Sequence, residues 1–273
     1  MSVGHYENFP VASMLLPARM RRPIAVIYRF ARSADDIADE GEDSDEVRLA
    51  GLNGYRRQLR RLASGNPPDA EPAARLFLDL GAVIRAYRLP IGLFEDLLDA
   101  FAQDVVHKRY ADFEELLDYC RRSANPVGRL LLHLYGEASE LNLRESDAIC
   151  SSLQLVNFWQ DVGIDWSKKR IYLPLESRTR FGIAEEHIAR REVTTAFRDL
   201  MAFEVGRARA LMLTGAPLAK RLPGRLGWEL RLVIQGGLRI LERIEAAGFD
   251  VFNRRPVLRR SDWLIMTGRA LTM

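Results

Sequence analysis

The sequence DDIAD at residues 35–39 and the sequence DVGID at residues 161–165 decide how this chain is interpreted. Each places aspartates four positions apart, and on a helix that spacing puts both carboxylates on one face, about one turn apart. An isolated pair of this kind repels itself by roughly a few tenths of a kcal/mol. The repulsion becomes attraction when Mg²⁺ lies between the carboxylates and a phosphorylated ligand, which is how proteins usually hold this ion. One such pair mostly marks a solvated surface, but two of them favour a metal site.

The first cluster lies at the end of a helix predicted over residues 23–40, with Pro23 in the first turn, where proline is tolerated. Apolar residues form one stripe of this helix, and polar residues form a second stripe displaced by roughly 100°. The apolar stripe is Ile24, Ile27, Ala31, Ala34 and Ala38, and the polar stripe is Tyr28, Arg32, Asp35, Asp36 and Asp39. Packing through the apolar stripe would hold the polar stripe at the rim of a cavity.

The second cluster lies at the end of a helix predicted over residues 146–165, with Ser146 as the N-cap. One face of this helix carries Cys150, Gln154, Asn157, Asp161 and Asp165. This ladder of amides and carboxylates is unusual for a merely solvated face, because the face is not rich in lysine and glutamate.

Helical periodicity runs through nearly the whole chain, and no alternating strand pattern is evident. Breaks rich in glycine, proline and serine divide the sequence into roughly eight or more helices. None of the breaks is long enough to be an interdomain linker. We therefore expect an all-α fold in which residues 1–273 form a single domain.

Composition excludes several classes of protein. Hydrophobic residues make up 48% and charged residues 28% of the chain, as in soluble globular proteins. The net charge is only +3, and no basic run alternates with aromatic residues, so we expect no nucleic-acid partner. Two cysteines form no disulfide framework. Neither a signal peptide nor an apolar run long enough to span a membrane is evident, which favours a cytoplasmic location.

Five aspartates would converge if the two acidic helices face each other, with Asn157 and Gln154 behind them. Such a concentration of uncompensated charge in a cavity is very costly. Several Mg²⁺ ions together with a diphosphate would balance it, and the metals would act as Lewis acids on the leaving diphosphate. The candidate metal ligands are Asp35, Asp36, Asp39, Asn157, Asp161 and Asp165. Arg32, Lys169 and Arg170 would donate hydrogen bonds to phosphate oxygens.

Departure of diphosphate from an allylic or cyclopropylcarbinyl carbon leaves a carbocation, which needs a dry pocket with aromatic faces. The candidate aromatic residues are Phe9, Tyr28, Tyr119, Phe158 and Tyr172. Other chemistries find little support, because HExxH, GxxxxGK and GxGxxG are all absent from the sequence. A Ser-His-Asp triad has no local signature here either.

Three segments resemble motifs of the squalene/phytoene synthases. Residues 28–40 (YRFARSADDIADE) resemble the first aspartate-rich motif of that family. Residues 157–165 (NFWQDVGID), running on to 170–174 (RIYLP), resemble the second motif. Residues 119–128 (YCRRSANPVG) stand where the family carries a Tyr-Cys…Val-Ala-Gly-x-Val-Gly stretch. Order and spacing agree from His5 to about Arg255, which is nearly the whole chain.

The resemblance implies an isoprenoid-synthase fold, in which helices surround a deep central cavity and the two acidic helices form opposing walls. It implies Mg²⁺ as the cofactor and a prenyl diphosphate as the substrate. The catalytic residues implied are Asp35, Asp39, Asp161, Asp165 and Tyr172. The substrate-binding residues that we expect are His5, Phe9, Tyr28, Arg32, Tyr119, Gln154, Gln160, Lys169, Arg170 and Arg254, with Arg255 as the alternative to Arg254.

Departures from the family pattern narrow the choice of substrate and reaction. In these departures the sequence is most similar to bacterial hydroxysqualene synthases of hopanoid pathways. The departures are the start at residues 5–13, the sequence RRSANPVG at residues 121–128, Gly237 in place of a usual tyrosine, and Gln160 where some relatives have arginine. That resemblance implies ionisation of presqualene diphosphate, rearrangement of the cyclopropyl cation and capture of the product cation by water, without a reductant.

Three other functions stay open at this point, and one of them is a basic helical binder of nucleic acid, whose binding would depend steeply on salt. The chain could condense two farnesyl diphosphates to presqualene diphosphate, squalene or dehydrosqualene. It could be a catalytically silent helical partner subunit, although complete aspartate motifs disfavour that. The segment Trp263–Met266 after Arg259 and Arg260 could touch a bilayer surface as an amphipathic helix, or it could simply pack on the core.

Overall fold

The computed structural model describes residues 17–69 and 73–273, and the described residues form thirteen helices. The helices are α1 (Ala18–Asp39), α2 (Asp45–Ala63), α3 (Ala74–Tyr87), α4 (Gly92–Val106), α5 (Phe113–Ser123), α6 (Asn125–Tyr135), α7 (Glu140–Ser167), α8 (Leu175–Arg180), α9 (Glu185–Ala189), α10 (Thr195–Gly215), α11 (Leu218–Arg221), α12 (Gly224–Ala246) and α13 (Arg260–Thr272). No strand occurs in these residues, so the all-α prediction is confirmed.

Helix α1 packs on α2, α3 and α4 through the predicted apolar stripe. Phe30 is fully buried among the rings of Phe77 and Phe94, with which it makes edge-to-face contacts. The helix begins at Ala18, earlier than the predicted start, so that Pro23 lies inside it. The cost of the lost hydrogen bond at Pro23 is offset because Met20, one turn before, is buried in the same apolar core.

Helix α7 runs through the molecule and packs along α10, α6, α5 and α12. The Ser139 side chain caps it by accepting a hydrogen bond from the Asn142 backbone N–H at 3.3 Å. The prediction that Ser146 caps this helix was therefore wrong, and Ser146 is buried within it. Gly215 lets α10 approach α7 closely, because a Cβ at this position would lie 2.4 Å from the carbonyl oxygen of Glu145.

Two extended segments that follow α4 and α7 are joined by backbone hydrogen bonds. The Ile171 N–H donates to the Lys108 carbonyl at 3.1 Å, and the Leu175 N–H donates to the Tyr110 carbonyl at 2.9 Å. This pairing fixes the path of residues 168–175 immediately after the second acidic cluster. No helix in the described ranges is long and apolar enough to cross a membrane.

A buried carboxylate fastens α13 to α12. Asp262 is fully buried, and Arg239 and Arg243 each donate to it at 2.7 Å. The Arg259 backbone N–H donates to the same carboxylate at 2.7 Å. Burial by itself would raise the pKa of Asp262, but the donors outweigh it and hold the pKa well below its usual range.

We expect Asp262→Asn to lower the free energy of unfolding at neutral pH by about 2 kcal/mol, because an amide cannot satisfy two guanidinium groups. Since the folded pKa lies below the unfolded value, the stabilisation is present above roughly pH 4 and is lost as the pH falls through the lowered pKa. Urea unfolding at neutral and acidic pH measures both effects. The exposed Asp199 provides the control variant Asp199→Asn. Equal losses of unfolding free energy in the two variants would contradict the stabilising role of Asp262.

Candidate active site

The first acidic cluster lies on the half-buried side of the last turns of α1. Desolvation by burial raises the pKa of Asp35 to about 6, and the neighbouring Asp39 carboxylate adds to the rise. Arg32 lies on the same face, with guanidinium nitrogens 2.7 Å from an oxygen of Asp36 and 3.3 Å from one of Asp35. Buried Ile24, Ile27, Ala34 and Ala38 occupy the other stripe, as the sequence predicts.

The second cluster lies on the last turns of α7. Arg255 donates to both oxygens of Asp161, at 2.5 Å and 2.9 Å. Burial, followed by the charge of Asp161, raises the pKa of Asp165 to about 8. No ion pair within residues 17–69 and 73–273 includes Asp165. Two carboxylates are thus crowded together, and only one of them is directly neutralised by an arginine.

The segment after α7 joins the two clusters. Arg170 donates to Asp39 at 2.5 Å and 3.2 Å, and the Lys168 ammonium lies 2.9 Å from the same carboxylate. Burial alone would raise the pKa of Asp39, but these hydrogen bonds outweigh it and lower the pKa to about 2. Lys168 also acts electrostatically on Asp35, and both cations act on Asp165. The two acidic clusters therefore border one polar region.

Four aromatic residues form a wall beside this polar region. The rings of Phe158 and Tyr172 stack with centroids 3.6 Å apart and planes 6° apart. The ring centroids of Tyr119 and Tyr110 lie 6.0 Å and 5.6 Å from that of Tyr172. A small pocket adjoins the wall, and it is lined by Phe158, Val162, Asp165, Arg170, Ile171, Tyr172 and Leu173.

Asp104 is a buried acid that the sequence analysis missed. The Tyr119 hydroxyl donates to its Oδ2 at 2.8 Å, and burial raises the pKa of Asp104 to about 7, against the opposing charge of Arg170. One signal could have revealed it. Asp104 falls on the otherwise buried apolar stripe of α4 that includes Leu93, Leu97 and Ala100, where an acid requires a reason.

Three predicted substrate-binding residues are either buried against the chain near Arg255 or exposed. Gln160 is buried and donates to the Pro256 carbonyl at 2.6 Å, so it fastens the chain near Arg255. Lys169 is exposed in a left-handed conformation (φ 59°), which leaves Lys168 and Arg170 to reach Asp39. Arg254 is exposed as well, and its neighbour Arg255 is the arginine that contacts Asp161.

The remaining predicted residues keep their expected faces. Tyr28 lies half-buried on α1, one turn before Arg32, and Gln154 and Asn157 lie half-buried on α7 before Asp161. The predicted residues His5 and Phe9 lie outside the described residues.

The donor chemistry of the site fits magnesium, although no three acidic, histidine or cysteine side chains of the described ranges enclose a metal position. The observation that supports the fit is that these half-buried carboxylates lie close together: desolvation by burial raises the pKa values of Asp35 and Asp165, and the neighbouring carboxylate adds to the rise. Carboxylate oxygens one helical turn apart are hard ligands of the kind that Mg²⁺ shares with substrate phosphates.

The all-α architecture is that of the isoprenoid-synthase fold, as comparison with solved structures shows. The squalene/phytoene synthase profile matches residues 3–262. The chain is 33% identical to the hydroxysqualene synthase of Rhodopseudomonas palustris over 97% of this chain and 88% of that protein. It is 34% identical to the hydroxysqualene synthase of Zymomonas mobilis over 84% and 76% of the two chains.

A solved structure of similar sequence gives the same result. The crystal structure of squalene synthase HpnC from Alicyclobacillus acidocaldarius superposes with a TM-score of 0.82 at 38% identity, over 90% of each chain. The chain belongs to the squalene/phytoene synthase family, whose members are prenyl-transferring enzymes that act on prenyl diphosphates.

The Arg255–Asp161 contact gives a matched test of the site geometry. We expect Arg255→Gln to lower the melting temperature by about 3 °C, because Asp161 loses two charge-assisted hydrogen bonds beside another carboxylate. Arg254→Gln should stay within about 1 °C of the wild type, since Arg254 is exposed. Thermal unfolding without added metal measures both variants. Equal shifts in melting temperature would show that the Arg255–Asp161 contact does not stabilise the fold.

Proposed function

We propose that this protein is a hydroxysqualene synthase, which converts presqualene diphosphate and water to hydroxysqualene and diphosphate. The geometric observation that supports this proposal is the meeting of both acidic clusters at Lys168 and Arg170 beside an aromatic wall. The choice of reaction within the family is supported by the similarity to proteins named hydroxysqualene synthase over most of the chain. The proposal treats the chain as one catalytic domain, because α1, α4 and α7 all contribute to the same region.

The polar half of the site would bind and release the diphosphate. Asp35, Asp39, Asp161 and Asp165, with Asp36 and Asn157 beside them, would hold Mg²⁺, which supplies Lewis acidity to the leaving diphosphate when bound. The cations Arg32, Lys168, Arg170 and Arg255 now contact these carboxylates. In the complex they would donate hydrogen bonds to phosphate oxygens as well, and so stabilise the charge that develops on departure.

The aromatic half would stabilise the carbocation. The faces of Phe158, Tyr172 and Tyr119 adjoin the polar region, and ring quadrupoles stabilise positive charge in a dry setting. The Phe158–Tyr172 stack fills the space next to the pocket, so the two rings must separate or shift to admit a long hydrocarbon chain. Side-chain changes of this kind are common when a ligand binds.

Removal of the acidic groups should abolish turnover without loss of fold. We expect Asp35→Asn and Asp161→Asn each to lower the rate of diphosphate release from presqualene diphosphate by about 1,000-fold, since each removes charge stabilisation at the leaving group. The control is Asp45→Asn, which changes an exposed acid in the first turn of α2. Normal turnover in either site variant would contradict the assigned role.

Product identification separates the proposed reaction from the condensation of farnesyl diphosphate. Each diphosphate is supplied separately with Mg²⁺, with and without NADPH, and the lipids are identified by mass spectrometry. The proposal requires hydroxysqualene from presqualene diphosphate without NADPH. Formation of presqualene diphosphate, squalene or dehydrosqualene from farnesyl diphosphate, with no hydroxylated product, would favour the alternative.

We also propose that α13 touches the membrane surface from which the lipid substrate arrives. Its inner face packs on the core through Asp262, Met266 and Ala270, while Leu264 is 80% exposed and Leu271 is 68% exposed on the opposite side. Trp263 is half-exposed beside them, and Arg259 and Arg260 are exposed at the start of the helix. Apolar side chains flanked by arginines suit an anionic bilayer surface.

Liposome flotation tests this contact. We expect the wild type to float with vesicles that contain anionic lipid, and Leu264→Glu/Leu271→Glu to remain in the soluble fraction, because two charges would have to enter the acyl boundary. The control Leu78→Glu changes an exposed leucine of α3. Failure of the wild-type protein to float would end the proposal, and equal loss of binding in the control would contradict the assignment to α13.

A further inference from the structure

A buried carboxyl group that belongs to neither acidic helix lies behind the aromatic wall. Asp104, in the last turn of α4, is 8% exposed, and its Oδ2 accepts the hydrogen bond from the Tyr119 hydroxyl at 2.8 Å. Its other oxygen, Oδ1, is buried and has no hydrogen-bond partner among the described residues. An unsatisfied buried acceptor is destabilising, so packing alone does not explain the choice of an acid here.

Arg170 is a cation that acts electrostatically on Asp104, but its side chain donates to another acid. The guanidinium donates to both oxygens of Asp39, and it reaches only the backbone carbonyl of Asp104, at 3.1 Å. Within the described part of the chain, no direct ion pair therefore holds the Asp104 carboxyl. Desolvation raises its pKa to about 7, with Arg170 opposing and the charges of Asp39 and Asp35 adding to the rise. Both protonation states are thus accessible near neutral pH.

Tyr119 connects this carboxyl to the site. Its ring lies 6.1 Å from Phe158 and 6.0 Å from Tyr172, and both of these residues line the pocket. A phenol that donates to a carboxylate keeps its oxygen lone pairs available as acceptors. A proton that arrives at the Tyr119 oxygen can accordingly be passed on to Asp104 as the phenolic proton moves.

We propose that Asp104 accepts, through the Tyr119 hydroxyl, the proton released when water captures the product cation. The inference rests on the proposed function. The water oxygen forms a bond to the cationic carbon, and one proton of the resulting oxonium passes to the Tyr119 oxygen. The phenolic proton passes at the same time to Asp104 Oδ2. The products are a neutral alcohol and a neutral Asp104 carboxyl, so charge is conserved and no oxidant or reductant is consumed.

Asp104 acts through Tyr119 and does not itself contact the substrate, so the test must separate proton acceptance from positioning. Asp104→Asn keeps an oxygen that accepts the Tyr119 hydrogen bond but cannot take up a proton. With presqualene diphosphate and Mg²⁺, we expect diphosphate release to continue while hydroxysqualene per diphosphate falls about 100-fold, the lower end of what a positioned base contributes. The cation should instead be lost to C30 products formed by other routes.

Two further variants complete the experiment. Tyr119→Phe should shift the products in the same direction, and the double variant should be no worse than the more impaired single variant, because both belong to one relay. Asp96→Asn is the control, since Asp96 lies on the same helix and its only ion pair in the described ranges is a 3.7 Å contact with Arg121. Diphosphate is assayed in solution, lipids by mass spectrometry, and folding by circular dichroism.

Each outcome bears on a different claim. If the wild-type protein forms no hydroxylated product from presqualene diphosphate, the proposed function fails. If the wild type forms it and Asp104→Asn forms it in the same ratio to diphosphate, only the proton relay is overturned. A folded Asp104→Asn protein that loses diphosphate release as severely as hydroxylated product also overturns the relay, because Asp104 would then act at or before ionisation.

Discussion

The pairing of Arg170 and Lys168 with Asp39 joins the two halves of the molecule at the site. Asp39 ends the helix that packs on α2, α3 and α4, whereas Arg170 follows the helix that packs on α5, α10 and α12. This contact brings two cations that follow α7 to an acid of α1. A cation placed between the two acidic clusters lowers the electrostatic cost of bringing both clusters to one region.

Charge balance explains why the site is stable before a ligand binds and why it can bind one. Arg32, Lys168, Arg170 and Arg255 each contact an acid of the two clusters, so the carboxylates are partly neutralised within the protein. Asp165 has no such partner in the described ranges, and burial together with Asp161 raises its pKa. The remaining acidity is the part of the site that a metal-bound diphosphate would satisfy under the proposed function.

The aromatic wall and Asp104 divide the site into a polar side and an apolar side. Phe158 and Tyr172 belong to the hydrophobic core and line the pocket together with Asp165, and the Tyr119 hydroxyl donates to the buried Asp104. A carbocation would form at this boundary under the proposed function, because the leaving group is held on the polar side. The water that captures this cation would lose its proton at the same boundary, and Asp104 is the buried acid that we propose accepts it.

The sequence by itself determined the helical class, the faces of the acidic helices and the family, because these features depend on residues one turn apart and on local motifs. The period of a helix puts Asp35 and Asp39, or Asp161 and Asp165, on one face in any helix that contains them. Local sequence signals predicted the first residues of the helices less well. Ser139 rather than Ser146 caps α7, since packing against α6 and α10 stabilises the additional turns.

Only the tertiary structure decided which of two adjacent basic residues enters the site. Lys168 rather than Lys169, and Arg255 rather than Arg254, reach the aspartates. The left-handed conformation of Lys169 and the backbone bond from Ile171 to Lys108 set the direction of one segment, and the bond from Gln160 to Pro256 fastens the other. These contacts join residues distant in sequence, so no local pattern contains them. The apolar stripe of α4 marks Asp104 as an unusual acid, but its partner Tyr119 lies on another helix, so only the tertiary structure shows their contact.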